Sequence, residues 1–499
     1  MGITSLSINY GMAHSVGRLR AELDDLELQL GTGKVSQTYG GLGDGRITSL
    51  AARAEISRLE GYSQTADDAL LRLTLVQGAL GRVGTNMTDT QGDLRNIPYK
   101  PNVDNQTLAQ ATARDRLEEV IQLLNSKHNG RYLFAGRTAD EAPVAGFDAL
   151  LDGSGGKAGL RQVIAERKQA DMGADGRGRL VIPAAAGAAV SLSEDVAGSP
   201  FGLKLAGITS QLTGTAVSAP VGSPASMGVT FSASLPEAGE KISLEFTLPD
   251  GTEGKISLTA TDQNPPQPGE FLIGADANAT AANFQSALTG AVETFVLEDV
   301  AAASALQAST DFFNISSGNP AQRVDGPPFD SAVALKDATT TDTVSWYTGD
   351  LEGNPRDSSL ARVDKGYTIS YGARADEEAL RESVRYLALL SVETFDADVA
   401  TDEKRYVSLS QKVANGISAQ PGEQSVESLQ SQLGYKEGTL NSIKERHTQS
   451  AEFAQAMLAN VELADTNEIG VRLLHLQTLL QASYQTTANL SQLNLANFL

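Results

Sequence analysis

IGVRLLHLQTLLQASYQTTANLSQLNLANFL, Ile469 to Leu499, is the stretch whose reading decides the fold. Ile469, Leu473, Leu476, Leu480, Tyr484, Thr487 and Leu490 recur at steps of three or four, which marks one face of a long helix. From Val471 onward Arg472 is the only charged side chain, and Gln, Asn, Ser and Thr supply most of the remaining polarity. A helix that is apolar on one side and uncharged on the other is suited to burial against other helices. Its expected partner is the opposite end of this chain, further copies of the chain, or both.

The opposite end has a matching pattern. Ile8, Met12, Val16, Leu19, Leu23, Leu26 and Leu30 alternate steps of four and three, a heptad seam. Glycine closes helices in the left-handed conformation, so Gly31-Thr32-Gly33 should end this one. After a glycine-rich connection, Gly40 to Arg46, a longer seam begins at Leu59 and Tyr62. It continues through Ala66, Ala69, Leu73, Val76, Leu80 and Val83, then Met87, Thr90, Leu94 and Ile97. Pro98 and Pro101 stop it. A helix of about 50 residues would span roughly 75 Å, too long for a compact globular domain. A third helix is expected from Asn105 to Lys127, with Ala109, Ala113, Leu117, Val120 and Leu124 inward and Asn129-Gly130 as its cap. Tyr132 and Phe134 then alternate as in a short strand.

At Gly146 the texture changes to Gly, Pro, Ser and Thr with short β-like runs, Arg179 to Pro183 and Gly228 to Leu235 among them. Ile242, Leu244, Phe246 and Leu248 alternate, Pro249-Asp250-Gly251 turns, and Ile256 and Leu258 return as a hairpin. Phe271 to Ile273 adds a strand and Thr280 to Leu288 begins a helix. Helical spacing resumes at Asp376 with Leu380, Val384, Leu387 and Val392. After Pro421-Gly422 a further seam runs through Val426, Leu429, Leu433, Lys436, Leu440 and Ile443, then His447, Ser450, Ala454, Met457 and Val461. The fold class is therefore α+β: a long helical coiled-coil bundle formed by both chain ends, with an inserted β-rich middle. The expected parts are 1–144, 145–372 and 373–499, the first and last packing on each other.

Composition narrows the function. Of 499 residues, 61 are Asp or Glu against 39 Lys or Arg, and the net charge of −22 repels phosphate backbones, so no nucleic-acid partner is expected. Cysteine is absent, which removes disulfides, thiol catalysis and Cys-ligated metal together. The N-terminal sequence has no basic segment followed by an apolar one, so no cleaved secretory signal is expected. No run of about eighteen apolar residues occurs, so no membrane insertion is expected.

Chemical motifs fail one by one. Gly31-Thr32-Gly33-Lys34 lacks the first glycine of a phosphate loop, and Val35 replaces its Ser or Thr. Gly41, Gly43 and Gly45 follow a helix rather than a strand, so hinge glycines are the simpler reading. His14, His128, His447 and His475 are scattered, and His447 falls on a seam where a core role is expected. Asp171, Asp175 and Asp262 do not form a calcium loop. The single Trp346 is expected to anchor the core of the inserted region. No catalytic, cofactor-binding or metal residue is assigned, and no cofactor is expected.

The ends nevertheless resemble a known family. QLGTGKVSQTYGGLGDGR (Gln29 to Arg46), DDALLRLTLVQGALGRV (Asp67 to Val83) and LQASYQTTANLSQLNLANFL (Leu480 to Leu499) are similar to the flagellin superfamily. NGRYLFAGRTADEAPV (Asn129 to Val144) resembles its hook-filament junction branch, the third hook-associated proteins. TLPDGTEGKISLTA (Thr247 to Ala260) with ATAANFQSALTGAV (Ala279 to Val292) resembles a small β-β-α motif found inside many members. Lys34 is followed by VSQTY rather than the arginine-containing sequence of flagellins, which points to the junction branch, whereas the length is that of a flagellin.

The resemblance implies a non-enzymatic structural subunit of the bacterial flagellum that serves motility. It implies type III export without a cleaved signal, with an export chaperone as a possible helper, and an extracellular location. Self-assembly alongside hook proteins, hook-associated proteins and flagellin is implied with it. Two other classes compete: a secreted adhesin on a coiled-coil frame, and a carbohydrate-active enzyme in the middle region, whose sign would be a cleft with convergent carboxylates.

Overall fold

The computed structural model describes residues 3–418 and 422–496; the side chains of Ile8, Met12 and Leu490, and Pro421 as a whole, lie outside the described residues. Helix makes up 52% and strand 17%, with helices at both termini and a sheet-rich middle, so the mixed α and β class holds. In chain order, α1 (Ile3–Thr32), α2 (Gly45–Asn96) and α3 (Leu108–Leu124) are followed by β1 (Lys127–His128) and β2 (Arg131–Tyr132). Next come α4 (Phe147–Asp152), α5 (Leu160–Met172), β3 (Leu180–Val181), β4 (Ala189–Glu194), β5 (Lys204–Ser210) and β6 (Thr215–Val221). β7 (Ser226–Phe231), β8 (Lys241–Thr247), β9 (Glu253–Thr261) and β10 (Glu270–Leu272) lead to α6 (Ala277–Phe295) and α7 (Ala301–Phe313), joined by a π-turn at Val296–Val300. β11 (Gln322–Val324), β12 (Leu335–Asp337), β13 (Leu360–Asp364) and β14 (Tyr367–Ser370) precede α8 (Glu378–Val392), α9 (Asp402–Ile417), α10 (Val426–Glu462) and α11 (Thr466–Ala496).

The chain separates into two compact units, each discontinuous in sequence. The terminal unit combines Met1–Leu70, Ala361–Ile369 and Glu437–Leu499; the larger unit combines Leu71–Leu360 and Ser370–Lys436. These borders fall inside α2 and α10, whereas the spacing-based parts divide at 144 and 372.

In the terminal unit α1 and α11 meet through Leu26, Ile469 and Leu476, with Leu19, Leu23 and Leu473 packed around them. Arg20 Nε donates to Tyr484 Oη at 2.7 Å, so falling numbers in α1 meet rising numbers in α11 and the pair is antiparallel. Gly33, at φ +66°, ends α1 as a glycine can, and Lys34 bridges Leu463 at the turn between α10 and α11. The first glycine-rich connection has a packing reason at its end: a Cβ on Gly45 would come within 2.6 Å of Val461 Cγ1.

The core of the larger unit is built from two four-stranded sheets, ordered β3-β4-β7-β6 and β10-β9-β8-β5, with α6 packed against both. Ile242, Leu244, Phe246, Ile256 and Leu258 are buried as their alternation predicts, and Gly251 turns the hairpin at φ +80°. The strand at Phe271 joins β9 in parallel, Phe271 opposite Ala260. Phe231, Phe271 and Phe284 meet edge-on, with centroids 5.3–6.3 Å apart. Aromatic rings prefer such edge-to-face contacts to flat stacking.

Three local expectations are corrected. Asn129-Gly130 does not cap α3: Asn125 does, its N–H reaching Ile121 O, while Asn129 and Gly130 form the two-residue turn between β1 and β2. The middle region holds helices that its texture hides, α5 above all. Glu166, Arg167 and Asp171 of α5 are buried, so charges occupy positions where periodicity looks for apolar residues. The segment after Val392 forms α9, which no seam announced.

Candidate assembly surface

The long helices α2, α10 and α11 bury positions on one face in the terminal unit and leave apolar side chains on the other, while α1 buries Leu26 alone among its described residues. On α2 every expected inward position from Leu59 to Ala69 is buried or partly buried, but Ile47 near its start is 74% exposed. On α10 the seam holds at Leu440, Ile443, His447 and Ala454, and fails at Ser450 and Met457, which are exposed. Phe453, one step off the seam, is 69% exposed. Together Ile47, Ala51 and Ala52 of α2 and Phe453, Ala454 and Met457 of α10 line a groove of 680 Å³, with Glu55 and Arg446 also at its edge.

α11 shows the same division. Ile469, Leu476 and Leu480 are buried, whereas Val471 and Leu474 are about two-thirds exposed (69% and 67%). The opposite face, read as polar from its Gln, Asn, Ser and Thr content, therefore also carries apolar side chains. Single exposed apolar residues are ordinary on a protein surface, whereas a grouping such as that of the α2–α10 groove makes it a candidate interaction surface.

The groove helices are tied together beyond it. Arg53 of α2 donates Nε and Nη2 to the two carboxylate oxygens of Glu462 at 2.9 and 2.5 Å, and Ser49 Oγ donates to the same group at 2.5 Å. These hydrogen bonds, Arg53 first and Ser49 next, hold the Glu462 carboxyl down to about 2. Lys444 pairs with Asp67 at 2.6 Å. His447 Nε2 lies 2.6 Å from Val363 O and its ring stacks on Tyr62, so it joins hairpin β13–β14 to the two helices.

The other singled-out residues do not converge. Gly31 to Lys34 end a helix, His14 and His475 are exposed, and His128 sits in β1. Asp171 is paired with Arg167 at 2.8 Å, while Asp175 and Asp262 are exposed. Trp346 is buried and donates Nε1–H to Phe313 O at 2.9 Å. Among the described residues, no group of three His, Asp or Glu side chains is placed to hold a metal ion, and no helix is long and apolar enough to cross a membrane.

The larger unit contains a cleft of 510 Å³ with Glu378, Glu382, Glu423 and Glu427 on its walls. Thr310 is its one lining residue from 145–372. Glu378 accepts the N–H of Gln424 at 3.1 Å, and Glu382 is paired with Arg381 and Arg385. Glu378 thus ties the start of α8 to the segment before α10, and Glu382 is paired within α8.

Comparison with known proteins adds no assignment. No family model and no curated protein matches the chain. The α2–α10 groove and the exposed apolar side chains of α11 are the candidate features that the terminal unit offers. Sequence spacing located much of the buried faces but not Ser450, Met457, Tyr484 and Thr487, which are exposed; it missed Phe453 and the Arg53–Glu462 tie, for which long-range pairing has no local signal.

Proposed function

We propose that this chain is a structural subunit of the bacterial flagellum, a member of the flagellin superfamily nearest its hook-filament junction branch. The observation that carries the reading is the terminal unit itself: helices from both chain ends, paired through Leu26, Ile469 and Leu476, with apolar side chains exposed on their outer faces. In this reading the terminal helices extend into a coiled-coil bundle, and neighbouring subunits cover Phe453, Val471 and Leu474. Covering apolar surface is worth about 25 cal/mol per Å², set against the ordering of long side chains and helix ends. Assembly is then cooperative and the free subunit stays in solution.

The reading includes export through the flagellar type III apparatus, an extracellular location, and no catalytic role. Its partners are copies of itself and the other axial proteins. The length of 499 residues favours filament flagellin as the second reading. Copy number separates the two, a single ring for a junction protein against thousands for a filament subunit.

The test is deletion of Ile469 to Leu499 in a flagellated host. Incorporation into flagella should be abolished while the larger unit stays folded; a truncated chain that still assembles overturns the proposal.

A further inference from the structure

The turn between β1 and β2 carries a chemical feature that assembly does not use. Lys127 faces Tyr132 and His128 faces Arg131, which leaves Asn129 and Gly130 as a two-residue loop. Both have positive φ, 49° and 78°, the backbone of a type I′ turn. Both side-chain positions are exposed. Asn129 Nδ2 lies 3.0 Å from His128 Nε2, the amide donating to the ring.

From this we infer that Asn129 is a site of self-catalysed backbone modification: it converts through a cyclic imide to aspartate and isoaspartate, with His128 as the proton donor to the departing nitrogen. Glycine has no side chain to hinder approach, so the Gly130 nitrogen can attack Asn129 Cγ. The N–Cγ bond forms, the Gly130 proton passes to solvent base, and the Cγ–Nδ2 bond breaks. In the tetrahedral adduct Nδ2 carries a basic lone pair, so a protonated His128 ring reverses the contact and donates Nε2–H to it; the nitrogen leaves as ammonia and solvent restores the ring proton. Water then opens the ring. Attack at Cγ yields aspartate; attack at the main-chain carbonyl yields isoaspartate. No other co-reactant is required.

The protein contains an internal control. Asn415 also precedes a glycine, Gly416, but within α9. In a helix the peptide N–H points back along the axis into the preceding turn, away from its neighbour's side chain.

The consequence is structural as well as electrostatic. Isoaspartate inserts a methylene into the main chain at a turn whose register needs two residues, and either product adds a negative charge between Lys127 and Arg131.

The test uses the full chain, aged in neutral buffer and mapped by peptide mass spectrometry with isoaspartyl methyltransferase labelling. Asn129 should convert many times faster than Asn415, and His128→Phe should slow Asn129 several-fold, flatten its pH profile and leave Asn415 unchanged. Equal rates at the two asparagines in the unmutated chain, or a His128→Phe rate equal to the original, overturns the assignment. The first comparison needs no variant, so it stands even if His128→Phe perturbs the hairpin.

Discussion

In the larger unit three consecutive charged residues of α5, Glu166 and Arg167 buried and Lys168 partly buried, pair with three distant partners: Glu166 with Arg323, Arg167 with Asp311 as well as Asp171, and Lys168 with Glu393. In the terminal unit the ties between helices lie nearer the surface, as Arg53–Glu462 and Lys444–Asp67 do, and large apolar side chains remain uncovered. One unit spends its polarity on fixing its own interior. The other ties its helices through partly exposed pairs and leaves Ile47, Phe453, Val471 and Leu474 open. The difference teaches that a buried ion pair specifies one arrangement strongly, because removing a partner strands a charge, whereas exposed apolar side chains fix no arrangement by themselves.

The contrast can be broken in four places. Arg167→Ala should have the largest effect: it leaves Asp171 and Asp311 without their cation and should cost about 3–5 kcal/mol in denaturant unfolding. A loss no greater than that of a surface pair would erase the contrast. Leu476→Ala should destabilise the α1–α11 pair by about 2 kcal/mol, read as faster amide exchange in those helices. Unchanged exchange would mean the pair is not held by this contact.

The third effect is smaller and depends on pH. The Glu462 carboxyl is held at about 2, below the ordinary carboxylate range, so its contribution is present above that range and is lost as pH falls toward about 2. Arg53 is 46% exposed, so solvent screens the pair and the stability change should be modest. The acid-induced loss should shrink in Glu462→Gln; an identical acid profile in the variant would remove Glu462 from the account. Phe453→Ser should have the smallest effect, leaving the free subunit's stability within about 0.5 kcal/mol of the original. If the exposed face is an assembly surface, the same change should nonetheless impair incorporation into flagella. Normal incorporation would detach the groove from assembly.

Much of the fold was legible because apolar spacing reports burial directly. Leu73, Val76, Leu80 and Val83 are buried as their spacing predicts, and Pro98 follows the end of α2 at Asn96. The hairpin at Asp250 was legible because strand alternation and turn chemistry agree there. α5 was hidden because buried charge is indistinguishable from surface charge until its partners are known. Asn129-Gly130 suited a helix cap and a hairpin turn equally, since both require positive φ.

By itself, then, the sequence determined which face of each long helix is buried over most of its length, that α1 stops at the Gly31–Gly33 stretch and α2 before Pro98, and that helical ends flank a sheet-rich middle. Local spacing and local backbone preference suffice for that. Only the tertiary structure decided that Leu26 meets Ile469 and Leu476, that Arg167 lies between Asp171 and Asp311, and that Phe453 and Leu474 stay uncovered. Those facts depend on which distant segments come together, and no periodicity within one segment encodes its partner.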